Sequence, residues 1–490
     1  MYMEDSIESL KKWREKAIQG GGEKRLKRQE AKGKLSARKR IELLLDEQSF
    51  MEIQSFAEGG SSNKAGDGVI IGTGCIHGQP VCIYSQDATV YGGSLGEMHA
   101  KKIVHLMDLS AKNQLPVIGL KDSGGARIQE GVVSLEGYGQ IFKRNVLYSG
   151  VIPQISVILG SCAGGAVYSP ALTDFVFMTE QTAHMFLTGP KVIEKATGEL
   201  VCPEQLGGAT VQHSSSGNVH YTGKNEADVL QAVRTLLTYI PNKQSPVSFA
   251  TKMKQDTAED PAVFLPKDQA RPYDVKHIIS VIMDPDSFFE MQPCFSKNIV
   301  IGFARLQGCP IGIVANQPKV LAGSLDLDAS DKAARFIRFC DAFCIPLLTL
   351  VDVPGFLPGE KEEHAGIIRH GAKLLYAYAE ATIPKVTVIL RKAFGGAYVA
   401  MNSKGLGADF VYAWPTAEIA VMGKRFADSI VKHGSTELDD EPSVLKAAKK
   451  GIIDDIISPA ETRRRLIQSF QLLCNKQEDR PLKKHGNMPL

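Results

Sequence analysis

Ser161-Cys162-Ala163-Gly164-Gly165-Ala166-Val167-Tyr168 is answered far down the chain by Lys392-Ala393-Phe394-Gly395-Gly396-Ala397-Tyr398. Each follows a β-branched run led in by Ile-Pro: Ile152-Pro153 then Ile155-Ser156-Val157-Ile158-Leu159, and Ile383-Pro384 then Val386-Thr387-Val388-Ile389-Leu390. Each therefore predicts a buried strand, a Gly-Gly turn and a helix start. A glycine pair at such a turn removes the Cβ atoms that would keep a ligand off the backbone. The helix start aims its N–H groups at the same place. Together these make an oxyanion hole without a side chain. Two of them in one chain imply two oxygens that gain charge in one reaction.

The echo extends beyond the two turns. Gly78-Gln79-Pro80 pairs with Gly308-Cys309-Pro310, and Gly93-Ser94-Leu95 with Gly323-Ser324-Leu325. Pro116 pairs with Pro346, and Asp122-Ser123-Gly124-Gly125 with Asp352-Val353-Pro354-Gly355. The spacing is 230 positions throughout and becomes 231 at the Gly-Gly turns. A constant spacing of this kind means two copies of one domain. The competing explanation is two unrelated α/β domains that share strand–turn grammar.

At 490 residues the chain is long enough for two or three domains with cores of their own. A net charge of +3 provides no broad field for nucleic acid or membrane. No apolar run reaches ~18 residues, the length a membrane-spanning helix needs. The first thirteen residues are charged and lack the apolar centre of a signal peptide. Nine scattered cysteines favour a reducing, cytoplasmic location. Cys340 and Cys344 read as reduced residues one turn apart in a buried helix, without the second pair a zinc site needs.

Residues 1–55 read as helical, with Ser36 capping a helix over 37–45. Strands are expected at 68–75, 80–86, 116–121 and 153–159, with a helix at 95–113. Gly124-Gly125 is expected to open another helix running to Tyr148. Prolines mark 240–270 as a linker, the second copy spans about 298–423, and an Arg-rich helix covers 461–473. Alternating strands and helices predict an α/β layered architecture.

No nucleophile elbow, phosphate loop or zinc-protease motif is present. Asp122 to Arg127, ending a strand and starting a helix, has the form of an anion site, or of a plain strand–helix turn. Asp352 to Gly359 is a stiff apolar loop at the matching place, suited to a flat ring or to ordinary packing. The basic run Lys24-Arg25-Leu26-Lys27-Arg28 could reach nucleotide phosphates, or could be a solvated face.

Several longer stretches resemble the carboxyltransferase β-subunits of biotin-dependent acyl-CoA carboxylases. They are Asp122 to Gly131, Ala163 to Phe175, Asn316-Gln317-Pro318, Ala329 to Phe336, Val353-Pro354-Gly355-Phe356, Ala413-Trp414-Pro415-Thr416 and Lys484-His485-Gly486-Asn487. The family resembled includes propionyl-CoA and acetyl-CoA carboxylase subunits and the α-subunits of methylmalonyl-CoA decarboxylases. The resemblance implies tandem duplicated crotonase-like (ClpP/crotonase) domains. Residues 1–250 would form the acyl-CoA side and 251–490 the biotin side, in a homohexamer.

It further implies that Gly164 and Gly165 hold the thioester oxygen and that Gly396 and Ala397 hold the ureido oxygen of biotin. Around the first turn, Gly124, Gly125, Ala126, Arg127, Ala163 and Tyr168 would bind the acyl-CoA substrate. Around the second, Gly355, Phe356, Gly395, Tyr398 and Val399 would face biotin. Charge would develop on the enolate oxygen and on the ureido oxygen, so two holes have two tasks and no side-chain base is required. The chain has no Ala-Met-Lys-Met biotinylation motif, and Thr251-Lys252-Met253-Lys254 does not qualify. No ATP-binding module is recognisable. Biotin would arrive on a biotin carboxyl carrier protein, carboxylated by a biotin carboxylase subunit, and no metal is expected.

Two departures from the pattern stand out. Val399 is apolar where many carboxyltransferases of this type carry Asp, which leans toward the decarboxylase branch. After Val421-Met422-Gly423 the chain reads Lys424-Arg425-Phe426-Ala427-Asp428, and the stretch to Gly451 is shorter than the family leads one to expect. Altered biotin binding or ring contacts would follow. Three readings remain: a carboxyltransferase moving carboxyl groups onto propionyl-CoA or acetyl-CoA, a decarboxylase α-subunit acting on methylmalonyl-CoA, and a weakened paralogue with an assembly role.

Overall fold

The β-branched runs around the two Gly-Gly turns form the longest strands of two separate sheets. The computed structural model describes residues 2–59, 65–241, 259–268, 270–423 and 441–489. The segments 424–428 and 251–254 lie outside the described residues. The chain divides into two compact units, Met1–Thr238 and Tyr239–Leu490.

The first unit holds β1 (Met51–Ile53), β2 (Val69–Ile76), β3 (Gln79–Gln86), β4 (Val117–Ser123), β5 (Gln154–Ala163), β6 (Phe175–Thr179), β7 (His184–Phe186) and β8 (Tyr221–Gly223). They are ordered β1-β2-β3-β4-β5-β6-β8, with β7 beside β5. The first three strands are antiparallel neighbours, and from β3 onward the pairs are parallel.

The second unit holds β9 (Phe289–Met291), β10 (Ile299–Leu306), β11 (Cys309–Asn316), β12 (Leu347–Val353), β13 (Lys385–Phe394), β14 (Phe410–Ala413), β15 (Glu418–Ala420) and β16 (Asp455–Ile456). Order and direction repeat strand for strand, with β15 beside β13. All seven residues of β4 and of β12 are buried, as a parallel strand covered by helices on both faces requires.

The duplication reaches the irregularities. The β4–β5 ladder shifts register between Lys121 and Ser123, and β12–β13 shifts between Val351 and Val353. Isolated bridges join Leu95 to Ala126 and Leu325 to Phe356. Gly164 and Gly395 share a φ of +60°, in the left-handed region that a side chain makes costly. Two copies with the same bends are one domain twice.

Local expectations hold in part. Ser36 caps the helix Ala37–Leu44, its hydroxyl accepting from the Lys39 N–H at 3.2 Å. Gly124-Gly125 does not open a helix. Gly125 has a φ of +100°, the Gly124 N–H is spent on the Gly92 carbonyl at 3.0 Å, and Ala126 is bridged to Leu95. A single 3-10 turn, Ile128–Glu130, follows Arg127, and the α-helix starts only at Val132 (Val132–Leu147), so no α-helix end stands at Asp122–Arg127. Cys340 is buried, but Cys344 lies beyond the end of Leu327–Ala342, exposed and at a φ of 56°.

Buried charge ties each copy together at one place. Asp122, near the end of β4, accepts from Lys34 Nζ at 2.6 Å and from Arg40 Nη1 at 3.1 Å. Arg40 also forks onto Glu226, at 2.8 and 2.7 Å. Burial opposes the Arg40 charge, but Glu226 and Asp122 hold its pKa above the ordinary value. In the second copy Asp352 accepts from Arg391 Nε at 2.8 Å. Gly160 stands where Arg391 does. A Cβ at Gly160 would lie 2.1 Å from Asp122 Oδ1 and 2.4 Å from Lys34 Nζ. The same carboxylate is neutralised from the neighbouring strand in one copy and from the N-terminal segment in the other.

Arg40→Met leaves Asp122 without one cation and Glu226 without its fork. Removing one partner of a buried pair costs about 3–5 kcal/mol. Urea denaturation of the variant should show the first unit unfolding at distinctly lower denaturant. An unchanged midpoint contradicts the role assigned to this network.

Candidate functional site

β5 ends at Ala163 in extended backbone, and the chain turns at Gly164 into one 3-10 turn, Gly164–Val167, that continues as the helix Tyr168–Leu172. Gly164 and Gly165 are partly exposed, Ala166 and Val167 are buried, and Tyr168 is half exposed. The Tyr138 ring, on Val132–Leu147, backs this turn: a Cβ on Gly165 would meet it at 3.2 Å. Burial raises the Tyr138 phenol well above its ordinary pKa, so it stays protonated.

β13 ends at Phe394, and the helix Gly395–Ala400 starts without an intervening 3-10 turn. Gly396 is exposed, and a Cβ on it would meet nothing within 4 Å. Ala397 is buried in the first helical turn, where N–H groups have no intrahelical acceptor. Val399 is exposed at the place that Tyr168 holds in the first copy. Tyr398 is half buried, its hydroxyl lacks a hydrogen-bond partner among the described residues, and burial raises its pKa. Gly355 turns the loop after β12 with a positive φ, and Phe356 packs on Gly371, where a Cβ would lie 2.9 Å from its ring.

The other first-copy candidates form a loop beside their turn. A Cβ on Gly125 would lie 2.9 Å from the Ala163 carbonyl, so this loop touches the end of β5. Gly124 is exposed and Ala126 partly exposed. Arg127 points inward. Its guanidinium is fully buried, 2.7 Å from Asp67 and 2.7 Å from Glu130, and it donates to the Ser94 carbonyl at 3.1 Å. It holds the loop in place from behind. Nearby His99 is kept well below its ordinary pKa, by burial first and by Arg127 and Lys102 next.

The basic run 24–28 lies on the helix Glu23–Glu30. Arg25, Arg28, Lys32 and Lys34 line a cavity of about 390 Å³ with Thr89, Tyr91 and Gly92. Arg25 Nη1 donates to the Thr89 carbonyl at 2.9 Å, docking this helix on the cavity rim. The rim is stitched to the Gly124 loop through the Gly124 N–H and Gly92 carbonyl, and Lys34 reaches Asp122. Sequence reasoning missed Lys34, Arg40, Glu226 and Tyr138, whose roles depend on contacts far apart in the chain. Among the described residues no three His, Cys, Asp or Glu side chains gather as a metal site, and no helix is long and apolar enough to cross a membrane.

Residues 28–488 match the family model described as the carboxyl transferase domain, and the chain belongs to that family. A Bacillus subtilis chain provisionally named a propionyl-CoA carboxylase beta chain is 59% identical, over 97% of this chain and 98% of its own length. The methylmalonyl-CoA decarboxylase subunit alpha of Propionigenium modestum is 49% identical over 99% of each chain. The crystal structure of transcarboxylase 12S, described as a hexamer and with hydrolysed methylmalonyl-coenzyme A bound, superposes with a TM-score of 0.95. It is 46% identical and covers 100% of this chain and 99% of its own. The fold is the tandem crotonase-like duplication, and the protein is a biotin-dependent carboxyltransferase of the propionyl-CoA carboxylase type.

The two turns should respond oppositely to a methyl group. Gly396→Ala meets open space on a helix, where Ala is favoured over Gly by up to ~1 kcal/mol, so stability should rise slightly. Gly165→Ala must move the buried Tyr138 ring, and stability should fall. Thermal unfolding of both variants checks the signs; the reverse order contradicts this geometry.

Proposed function

We propose that this chain transfers a carboxyl group between a biotin carried by a separate protein and the α-carbon of a short-chain acyl-CoA, propionyl-CoA or acetyl-CoA. The observation that carries the reading is the matched pair of Gly-Gly turns, each at a strand end and each with a +60° glycine. The first half, 1–250, takes the acyl-CoA side, and 251–490 the biotin side. Assembly as a homohexamer follows the transcarboxylase 12S core, and the partners are a biotin carboxyl carrier protein and a biotin carboxylase in the cytoplasm.

The residues suit each ligand. Backbone N–H groups at Gly164 and Gly165 receive the thioester oxygen and stabilise it as it becomes an enolate oxygen. Ala163 and Tyr168 flank that place, and Gly124, Gly125 and Ala126 wall it, while Arg127 fixes the wall from within. The cavity of Arg25, Arg28, Lys32 and Lys34 offers positive charge to the phosphates of coenzyme A. On the other side, the open space over Gly396 is a cradle that a side chain would fill. Gly395, Gly396 and Ala397 there present N–H groups to a ureido oxygen, with Gly355, Phe356, Tyr398 and Val399 around the ring. Bound biotin supplies the carboxyl group; the chain's own part is to hold, orient and stabilise charge.

A second reading is the reverse direction, decarboxylation of a methylmalonyl-type ester. Exposed Val399 favours it, as does the likeness to the Propionigenium modestum subunit. Equilibration of labelled bicarbonate with a reconstituted carboxylase separates the directions.

Gly165→Val should abolish transfer to propionyl-CoA, and Gly396→Val, which fills the open cradle, should do so without loss of fold. Losing one such donor costs about 3 kcal/mol in the transition state. Full activity in either variant defeats the assignment of that turn. Arg28→Ala should raise KM for acyl-CoA about tenfold with little change in kcat, an effect that weakens in high salt. The chain with bicarbonate, ATP and propionyl-CoA should form no product until carrier and biotin carboxylase are added.

A further inference from the structure

The copies agree in strand order, register shift and turn geometry, so a side chain that breaks the match is informative. Lys121 breaks it. It is buried at 5% exposure in β4, beside Ile158 of β5. Val351 holds the same place in β12, beside Ile389 of β13. Among the described residues the Lys121 ammonium makes one hydrogen bond, to Ser169 Oγ at 3.2 Å, and lies over the Tyr84 ring, 4.8 Å from its centroid. These partners have no counterpart either: Val314 and Ala400 stand at their places. The first copy thus keeps a lysine, a tyrosine and a serine where the second keeps apolar residues.

Among the described residues no carboxylate pairs with this charge. Asp122, next in the strand, is held by Lys34 and Arg40. His99 is kept neutral by its burial, and burial pushes the Cys162 thiol up to about 12. Two other buried lysines show what a structural role looks like. Lys102 donates to the Gly66 and Val69 carbonyls, and Lys332 to those of Gln292, Phe295, Ser296 and Ile299. Lys121 has no such cage. An underpartnered buried charge costs stability. Ser169, its one acceptor, lies one helical turn beyond Gly165.

We propose that Lys121, bonded to Ser169 on the helix that continues the Gly164-Gly165 turn, is the positive charge of the thioester side and stabilises the oxyanion that forms at that turn. This rests on the reading that the first turn holds the thioester. Lys121 does not touch substrate; it acts by its field in a dry interior, where little water screens it. The ureido side has no equivalent, because Val351 is there.

Lys121→Met, nearly isosteric and neutral, separates the possibilities. Expected is a fall in kcat of about 10- to 100-fold for carboxylation of free biotin by methylmalonyl-CoA, with KM within about twofold and a higher unfolding temperature. Loss of activity with gain of stability is a signature that a packing role cannot produce. Wild-type kcat, or a lowered unfolding temperature with raised KM, overturns the proposal. Release of CO2 from the carboxylated carrier without acyl-CoA should be unchanged in the variant. Slowing of that partial reaction would mean that Lys121 serves the biotin side, and the assignment of the two turns would fail with it. If the Met variant does not fold, Lys121→Gln, which can still donate to Ser169, carries the same test.

Discussion

A buried carboxylate near the end of a central parallel strand is the constraint on which each copy depends. Asp122 and Asp352 sit where strand, loop and turn converge. The Asp122 and Asp352 N–H groups donate to the Gln86 and Asn316 side chains, each at 3.2 Å. Asp352 Oδ1 also accepts from the Lys392 N–H at 3.2 Å, just before the second Gly-Gly turn. An unpaired carboxylate there would be too costly to keep. The cations that neutralise it therefore determine what else can be built nearby.

The two copies met that need differently, and the difference separates them. In the second copy Arg391 stays beside its own Asp and stacks on Tyr273, 4.6 Å from the ring centroid. In the first, glycine at 160 makes room for Lys34 and Arg40 from the N-terminal segment. That segment also carries Arg25 and Arg28 to the basic cavity. One exchange, Arg for Gly, couples the stability of the first copy to the segment that lines the basic cavity, the proposed place of the coenzyme A phosphates.

Much of this was readable in the chain. The 230-residue spacing foretold two equal sheets, because strand ends and turns need glycine and proline at fixed places. The Gly-Gly turns were legible for the same reason. Gly124-Gly125 misled, since a glycine pair after a strand marks a helix start only if the next residues adopt helical φ; at Gly125 and Gly131 they do not. Arg127, expected among the substrate-binding residues, is drawn inside by Asp67, sixty positions earlier. The ion network of Arg40, Asp122 and Glu226 spans nearly the whole first unit and leaves no local pattern. The paired lysines 102 and 332 obey the repeat spacing, and that signal could have found them.

The proposed division of labour gives the first glycine turn to the thioester and the second to biotin. A crystal structure of the protein with methylmalonyl-CoA bound tests it most directly. Expected is the thioester oxygen about 3 Å from backbone N–H groups at Gly164 or Gly165, with the coenzyme A phosphates in the Arg25 and Arg28 cavity. A thioester oxygen seated instead at Gly395, Gly396 or Ala397 would contradict it.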